Sequence, residues 1–250
     1  MSRLLGFWLL LLAAAVAPAR GADLSAERVH EILLAAGPGR PADLSGKSLE
    51  DLDLSNFNFS RANLSRTNLF GAKLVGTDFT AADLSGAKLD LAWIMRANFT
   101  AANLSKASLL GLVVASGLDY SASEAPTFKD ANFSGAHILA RLGRFDLRGA
   151  NFAGAKLGAD RKNQSMGLMR TDLSGANLAG ANFSQADLGL ALLRFANLRG
   201  ADLSEADLSG ADLSGADLTG ANATEADFGG AVLTNARGLD PTIGRRRPAR

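Results

Sequence analysis

The chain has 250 residues, of which 47% are hydrophobic and 20% are charged, so it can bury a large core and is not disordered in bulk. Its 26 basic and 25 acidic residues leave a formal charge of +1, which excludes a bulk electrostatic preference for nucleic acid or membrane. Because the chain has no Cys, disulfides, thiolate metal sites and lipid attachment to a cysteine are excluded as well.

The first segment, residues 1–21, is typical of a signal peptide. Arg3 supplies a positive charge, residues 4–16 form an apolar run, and a small-residue cleavage motif, Ala-Pro-Ala, ends at Ala19. An uncleaved membrane anchor is the alternative, but the run is shorter than the roughly 20 residues that span a bilayer. We therefore expect a mature protein that begins between Ala19 and Asp23 and is periplasmic or secreted.

The second segment, residues 22–41, is predicted to hold a capping helix and a linker. Ser25 is a suitable N-cap, Val29 and its helical neighbours form an apolar face, and Gly37 is a suitable stop. His30 lies within this helix. We interpret it as a packed or surface residue, because no second His, Cys or acidic cluster would complete a metal site.

Residues 42–235 carry an apolar residue at every fifth position, a period that suits neither an α-helical stripe nor one face of a flat strand. The register runs from Leu44 to Val114, resumes in two short runs, and closes with a long run from Leu168 to Leu233. The short runs are Phe128, Phe133, Ile138 and Leu147, Phe152, Leu157. The repeat therefore occupies nearly the whole chain after the leader.

Each repeat reads as one extended step followed by one corner. Ala usually stands two positions before the large residue, and positions two apart on an extended segment face the same side, so both point inward. The Asp, Asn or Lys between them points outward, and Ser, Thr or Gly follows at the corner. Successive coils are expected to lie side by side about 4.8 Å apart, like parallel strands.

The motif A-[DN]-[LF]-[ST]-G, as in "ANLSG" and "ADLSG", resembles the pentapeptide repeat family. This resemblance implies an all-β fold, a right-handed quadrilateral parallel β-helix with four repeats, or twenty residues, per coil. Phe59, Phe79 and Phe99 are twenty residues apart and should then stack as a buried ladder. The functions of that family are diverse, so the repeat itself implies no activity.

Two interruptions and a tail fall outside the register. The stretches 115–127 and 158–167 shift the phase and are predicted to bulge as loops. We interpret them as tolerated insertions, with a functional role as the alternative. Residues 236–250 are predicted to form a short irregular cap and a basic tail with four Arg near its end. Docking of this tail on an acidic lipid or polymer is the functional alternative.

Asp187, Asp207 and Asp227 are also twenty residues apart and should stack on one outer face. Ca²⁺ needs about six to eight oxygens that converge on one point, and a straight ladder does not converge. We therefore expect carboxylates that bond to neighbouring backbone, and no metal or cofactor.

No catalytic residue is indicated, since no nucleophile is paired with a base, and we expect a non-enzymatic scaffold for a protein or cell-envelope partner. The chain is expected to be a monomer or a weak dimer. The alternative function, implied by the resemblance, is a DNA-mimicking topoisomerase-binding protein of the fluoroquinolone-resistance type. That role requires a cytosolic, strongly negative rod, whereas this chain is near neutral and carries an export signal.

Trp93 and Val113 are apolar residues at outward positions one coil apart, and Tyr120 follows within the first interruption. Two interpretations remain open. Either the loop 115–127 folds back over Trp93 and Val113 as a small satellite core, or Trp93, Val113 and Tyr120 form an exposed patch that binds a partner.

Overall fold

The computed structural model describes residues 21–37, 39–115, 122–159 and 169–239. Its regular elements are a helix α1 (Ala26–Leu34), strands β1 (Ser108–Leu110) and β2 (His137–Leu139), and a 3₁₀ helix (Ala122–Glu124). β1 and β2 pair in parallel, with Ser108 opposite His137. The remaining architecture is carried by isolated parallel bridges between successive coils.

Four ladders of parallel bridges run along the chain, and each coil contributes one outward residue to each ladder. We number them by their first residues: ladder 1 starts at Asp43, ladder 2 at Ser48, ladder 3 at Asp53 and ladder 4 at Asn58. Before the first interruption each bridge joins residues twenty apart. Four five-residue sides therefore make one coil, which is the coil length that the family resemblance implies.

The interior is filled by the repeated Leu and Phe with a layer of Ala beside them. The predicted phenylalanine stack is confirmed, because the ring centroids of Phe59 and Phe79 lie 5.3 Å apart and those of Phe79 and Phe99 4.8 Å apart. All three side chains are fully buried. Phe128 extends this stack across the first interruption, at 4.9 Å from Phe99. The hydrophobic contact is therefore continuous where the sequence register breaks.

Most described sides of a coil end in a backbone corner with positive φ, two positions after the core residue. Glycine occupies many of these corners, but others carry side chains, including Leu91 at φ 59° and Phe195 at φ 56°. At Gly215 a Cβ atom would lie 2.5 Å from Phe195 Cδ1, so the glycine is needed for the close approach of that ring. Corner residues thus lie over the corresponding corner of the next coil.

The N-terminal end of the core is covered by α1. The Ser25 side chain accepts a hydrogen bond from the Arg28 N–H, as expected of an N-cap, and Val29 is fully buried against the first coils. His30 is exposed, with its ring 5.5 Å from that of Phe57, which agrees with the expected packed or surface residue. The leader 1–20 lies outside the described residues.

The opposite end is less well covered than the repeat register predicts. Leu233 belongs to the inward series, yet 37% of its surface is exposed, and Val232 is 45% exposed. Val232, the residue before it, is bridged only to Asp212 of the preceding coil among the described residues, so no described coil covers the outer side of Leu233. The basic end of the tail, from residue 240 onward, lies outside the described residues.

The interruptions change the coil length without ending the ladders. On ladder 4 the bridges join Asn98 to Thr127, Thr127 to Asp146 and Asp146 to Asn177, steps of 29, 19 and 31 residues. The sequence register missed one core residue in the shortened coil: Leu142 is buried only four positions after Ile138. The interiors of the interruptions, residues 116–121 and 160–168, lie outside the described residues, as does Leu168.

Candidate binding surface on ladder 3

Trp93 lies on ladder 3, directly below Val113. The two residues are bridged in parallel, which confirms that they share a face. The Trp93 N–H donates to the Ala72 carbonyl at 2.9 Å, and its own carbonyl accepts from the Leu74 N–H at 2.8 Å. Its backbone is thus fixed while 41% of its surface stays exposed. Val113 is half-buried, and Tyr120 lies outside the described residues.

Ladder 3 differs from the other three in the chemistry of its outward residues. In the described chain, ladders 1, 2 and 4 present polar side chains at every rung, chiefly Asn and Asp. The rungs of ladder 3 are Asp53, Lys73, Trp93, Val113, Arg141, Asp172, Leu192, Asp212 and Val232. Four of the nine are apolar, so this face carries the apolar outward surface of the rod.

Further apolar side chains flank Trp93 on the corner between ladders 2 and 3. Leu91 is 48% exposed and Phe70 is 37% exposed. The Leu91 side chain lies against Gly111 of the next coil. A Cβ atom added at Gly111 would lie only 2.9 Å from Leu91 Cδ2. Lys73 is bridged to Trp93 from the coil below. The patch around Trp93 is therefore apolar at its centre and charged at its edge.

A cavity of about 580 Å³ opens on ladder 3 above Val113. Leu112, Val114 and Leu139 form apolar walls, and Arg141 and Arg170 are exposed at its edge. Another cavity, of about 750 Å³, lies beside α1 between Leu33 and Phe57. Neither position was predicted from the five-residue register, because both depend on how coils and caps meet.

The acidic stack on ladder 2 is present as predicted. Asp187 bridges to Asp207 and Asp207 to Asp227. Each carboxylate accepts a backbone N–H two residues on, at 2.8–3.0 Å, from Gly189, Ser209 and Gly229 respectively. Within the described segments no group of three or more His, Asp or Glu is placed to hold a metal ion. The expected bonding of these carboxylates to neighbouring backbone is confirmed.

In the described chain, the carboxyl groups whose pKa is shifted have a pKa below the ordinary value. The Thr219 hydroxyl and backbone N–H donate to Asp217, and together with Arg199 they lower the pKa of its carboxyl to about 2. Hydrogen bonds from Arg148 and Ser204 lower the pKa of Asp146 and Asp202 in the same direction. These groups are poor proton donors near neutral pH, because they are already ionised there.

The repeats of this chain match the model of a known protein family. A family model described as Pentapeptide repeats matches in eight copies, over residues 48–86, 62–100, 171–210 and 211–237. No curated protein sequence matches the chain.

Several solved structures resemble the chain. HetL, a pentapeptide repeat protein of the cyanobacterium Nostoc sp. strain PCC 7120 involved in heterocyst differentiation regulation, is 26% identical over 88% of this chain and 99% of its own, with a TM-score of 0.32. QnrB1, a plasmid-mediated fluoroquinolone resistance protein, is 22% identical over 78% of this chain and 94% of its own, with a TM-score of 0.35. Rfr23 of the cyanobacterium Cyanothece 51142 is 25% identical over 56% of this chain and 86% of its own, with a TM-score of 0.26.

Proposed function

We propose that this chain, which is built from the repeats of the pentapeptide repeat family, is a non-enzymatic exported scaffold that binds a protein or cell-envelope partner through ladder 3. In this proposal the coils form a right-handed quadrilateral β-helix, with α1 as its N-terminal cap. The observation that carries the proposal is the chemistry of the four ladders, since apolar rungs occur on ladder 3 while the other described rungs are polar. Contiguous apolar surface on a soluble protein often marks an interaction site.

The geometry favours binding over catalysis. A solenoid presents extended faces, and the outward side chains of one ladder lie in a straight row at strand spacing. Catalysis by a carboxyl acid would need a raised pKa, whereas the shifted carboxylates of the described chain have lowered values. The chemistry of this surface therefore suits recognition.

Trp93 is the expected anchor of the interface. An exposed indole offers a large apolar area and one N–H donor on a backbone that the flanking coils hold in place, which are the properties of an interface hot spot. Val113 above it and Leu91 beside it extend the apolar area. Lys73 supplies a charged edge, as is usual at the rim of an interface.

We expect Trp93→Ala to weaken capture of the partner from the cell-envelope fraction of the host by at least about tenfold, because truncation of a hot-spot residue costs about 2 kcal/mol or more. The melting temperature should change little, since the Trp93 side chain is part of the surface and its backbone bonds remain. Leu34→Ala is the matched control, as Leu34 is 72% exposed on α1 and away from ladder 3. Equal capture by wild type and Trp93→Ala would contradict the binding role of ladder 3.

Export rests on the leader sequence. If residues 1–21 are a signal peptide, the mature protein isolated from its host should begin between Ala19 and Asp23. Mass spectrometry of the intact protein measures this end directly. An intact Met1 or Ser2 end in a cytosolic fraction would contradict export. Among the helices of the described residues, none has the length and apolar character that a membrane crossing requires.

A further inference from the structure

The first coil has an open backbone edge on side 4, the side that carries the first rung of ladder 4. In the coil above, the N–H and the carbonyl of Asp78 are both bonded to the first coil, at 3.0 and 2.7 Å. Asn58 holds the same position in the first coil, and in the described chain neither its N–H nor its carbonyl has a hydrogen-bond partner. The Ser60 carbonyl is unpaired in the same way. We call residues 57–60 the open edge.

The other three sides of the first coil are covered or charged at this end of the rod. On side 2 the Asp23 N–H donates to the Ser48 carbonyl and the Asp23 carboxylate accepts from the Ser48 N–H, both at 2.7 Å. Sides 1 and 3 present the exposed Asp43 and Asp53. Charged side chains on an edge hinder pairing with another chain. Side 4 presents the uncharged Asn58, so its edge is the one that is neither covered nor charged.

A groove separates the open edge from α1. It is the cavity of about 750 Å³ beside α1, with His30 and Leu33 of α1 on one wall and the open edge on the other. Phe57 is half-buried and adds apolar surface to it, while Asn58 is exposed. Backbone groups that lack partners therefore occur on one wall only, beside an apolar surface, and the groove is accessible from solvent.

The groove is basic. Arg61 lines it, is exposed, and forms no ion pair in the described chain. His30 is the other titratable residue among the described residues that line the cavity, and none of these is acidic. A ligand that carries carboxylates is therefore favoured at this end of the rod.

We infer that the open edge binds an extended, acidic peptide segment of another protein, which adds a parallel strand to side 4. By comparison with the coil above, the first residue of the segment accepts from the Asn58 N–H, and the N–H of its third residue donates to the Asn58 carbonyl. These two residues face inward and contact Phe57 and Leu33, and the outward carboxylates pair with Arg61. The cavity lies within the usual size range of ligand sites, about 300–1,000 Å³. The site is separate from ladder 3 and does not depend on the function proposed for it.

The test uses the protein as isolated from its host and a fluorescent, terminally blocked peptide of eight residues in which Val and Glu alternate. We expect saturable binding, measured by fluorescence anisotropy. Each Val faces inward and presents its N–H to the edge, so methylation of the Val nitrogens should weaken binding by at least about tenfold. Methylation of the Glu nitrogens, which face away from the edge, is the matched control and should change binding by no more than about twofold.

Matched proline variants test the backbone of the open edge. Asn58→Pro removes an N–H that has no partner, whereas Asp78→Pro, one coil above, removes one that donates to the Phe57 carbonyl. Both variants also lose a side-chain acceptor for the N–H two residues on, so their difference reports the backbone donor. We expect Asn58→Pro to lower the melting temperature much less than Asp78→Pro does, and to weaken peptide binding by at least about tenfold.

Charge reversal at Arg61 tests the recognition of carboxylates. Arg61→Glu should weaken binding of the Val and Glu peptide by at least about threefold, the scale of an exposed ion pair. A peptide of alternating Val and Lys should bind the Arg61→Glu variant better than it binds wild type. Arg66→Glu is the matched control, because Arg66 is an exposed corner residue on another side of the rod, and it should change neither result.

Three outcomes would overturn the inference. The first is the absence of saturable binding, and the second is equal binding of the two methylated peptides. The third is amide hydrogen exchange at Asn58 as slow as at Asp78 in the free protein, which would show that another part of this chain or a second copy covers the edge. Normal peptide binding by Trp93→Ala is expected, since Trp93 lies on ladder 3. Failure of peptide binding with loss of partner capture in Trp93→Ala would remove this inference and leave the role of ladder 3 in place.

Discussion

Phe79→Ala is expected to reduce the free energy of unfolding by about 3–5 kcal/mol, the usual cost of removing a buried aromatic side chain. Phe79 is fully buried between Phe59 and Phe99, whose rings lie 5.3 and 4.8 Å away. The substitution therefore removes a stacked neighbour from both Phe59 and Phe99. The bridges between the coils on either side prevent them from closing the cavity that the lost ring leaves. Urea denaturation followed by circular dichroism measures the change.

Phe195→Ala is the matched control for this experiment. It removes the same side chain, but Phe195 is 73% exposed, so its loss should change the free energy of unfolding by no more than about 0.5 kcal/mol. Similar losses in the two variants would mean that the buried stack does not stabilise the rod. The difference between them isolates burial, since the chemistry of the substitution is the same.

Deletion of residues 200–219 is expected to leave a folded, shorter rod. These twenty residues form one coil, and the junction joins Arg199 to Gly220 with the register intact, so Phe228 keeps its inward position. In a solenoid each coil contacts mainly its neighbours, and the deletion should remove only the stability that one coil adds. The variant should retain a single cooperative melting transition and a circular dichroism spectrum of unchanged shape.

A deletion two residues shorter, 202–219, provides the contrast. It joins Ala201 to Gly220 and shifts every later residue by two positions, which moves Phe228 from the core to an outward corner. The coils after the junction should then fail to form, and proteolysis should remove them. If both deletions behaved alike, the twenty-residue coil would not be the structural unit.

The regular part of this fold could be predicted from the sequence because its determinants are local. Alternation of Ala, a polar residue and Leu or Phe sets which side chains face inward, and the corner residue sets where the chain turns. The stacks of Phe59, Phe79 and Phe99 and of Asp187 and Asp207 follow when these rules are combined with the four repeats per coil that the family resemblance implies. Both stacks lie within one uninterrupted register.

These rules could not predict which residues lie on the same ladder on the two sides of an interruption. Leu192 lies on ladder 3 with Val113, yet the two residues are 79 positions apart, which is not a multiple of twenty. Coil lengths of 29, 19 and 31 residues depend on where the chain leaves and re-enters the coil, and the pattern does not encode this. For the same reason the sequence indicated Trp93 and Val113 but neither Leu192 nor the cavity beside Arg141.

The two ends of the rod differ in how they are covered, and this difference has a consequence for the order in which the molecule can be made. Val29 of α1 closes the first coil, whereas Val232 and Leu233 at the other end are partly exposed. Bridges join each coil to the one before it and the one after it. A chain that emerges N-terminus first from a ribosome or a secretion channel can therefore wind each coil onto the previous one as it arrives, and no early segment has to wait for a late partner.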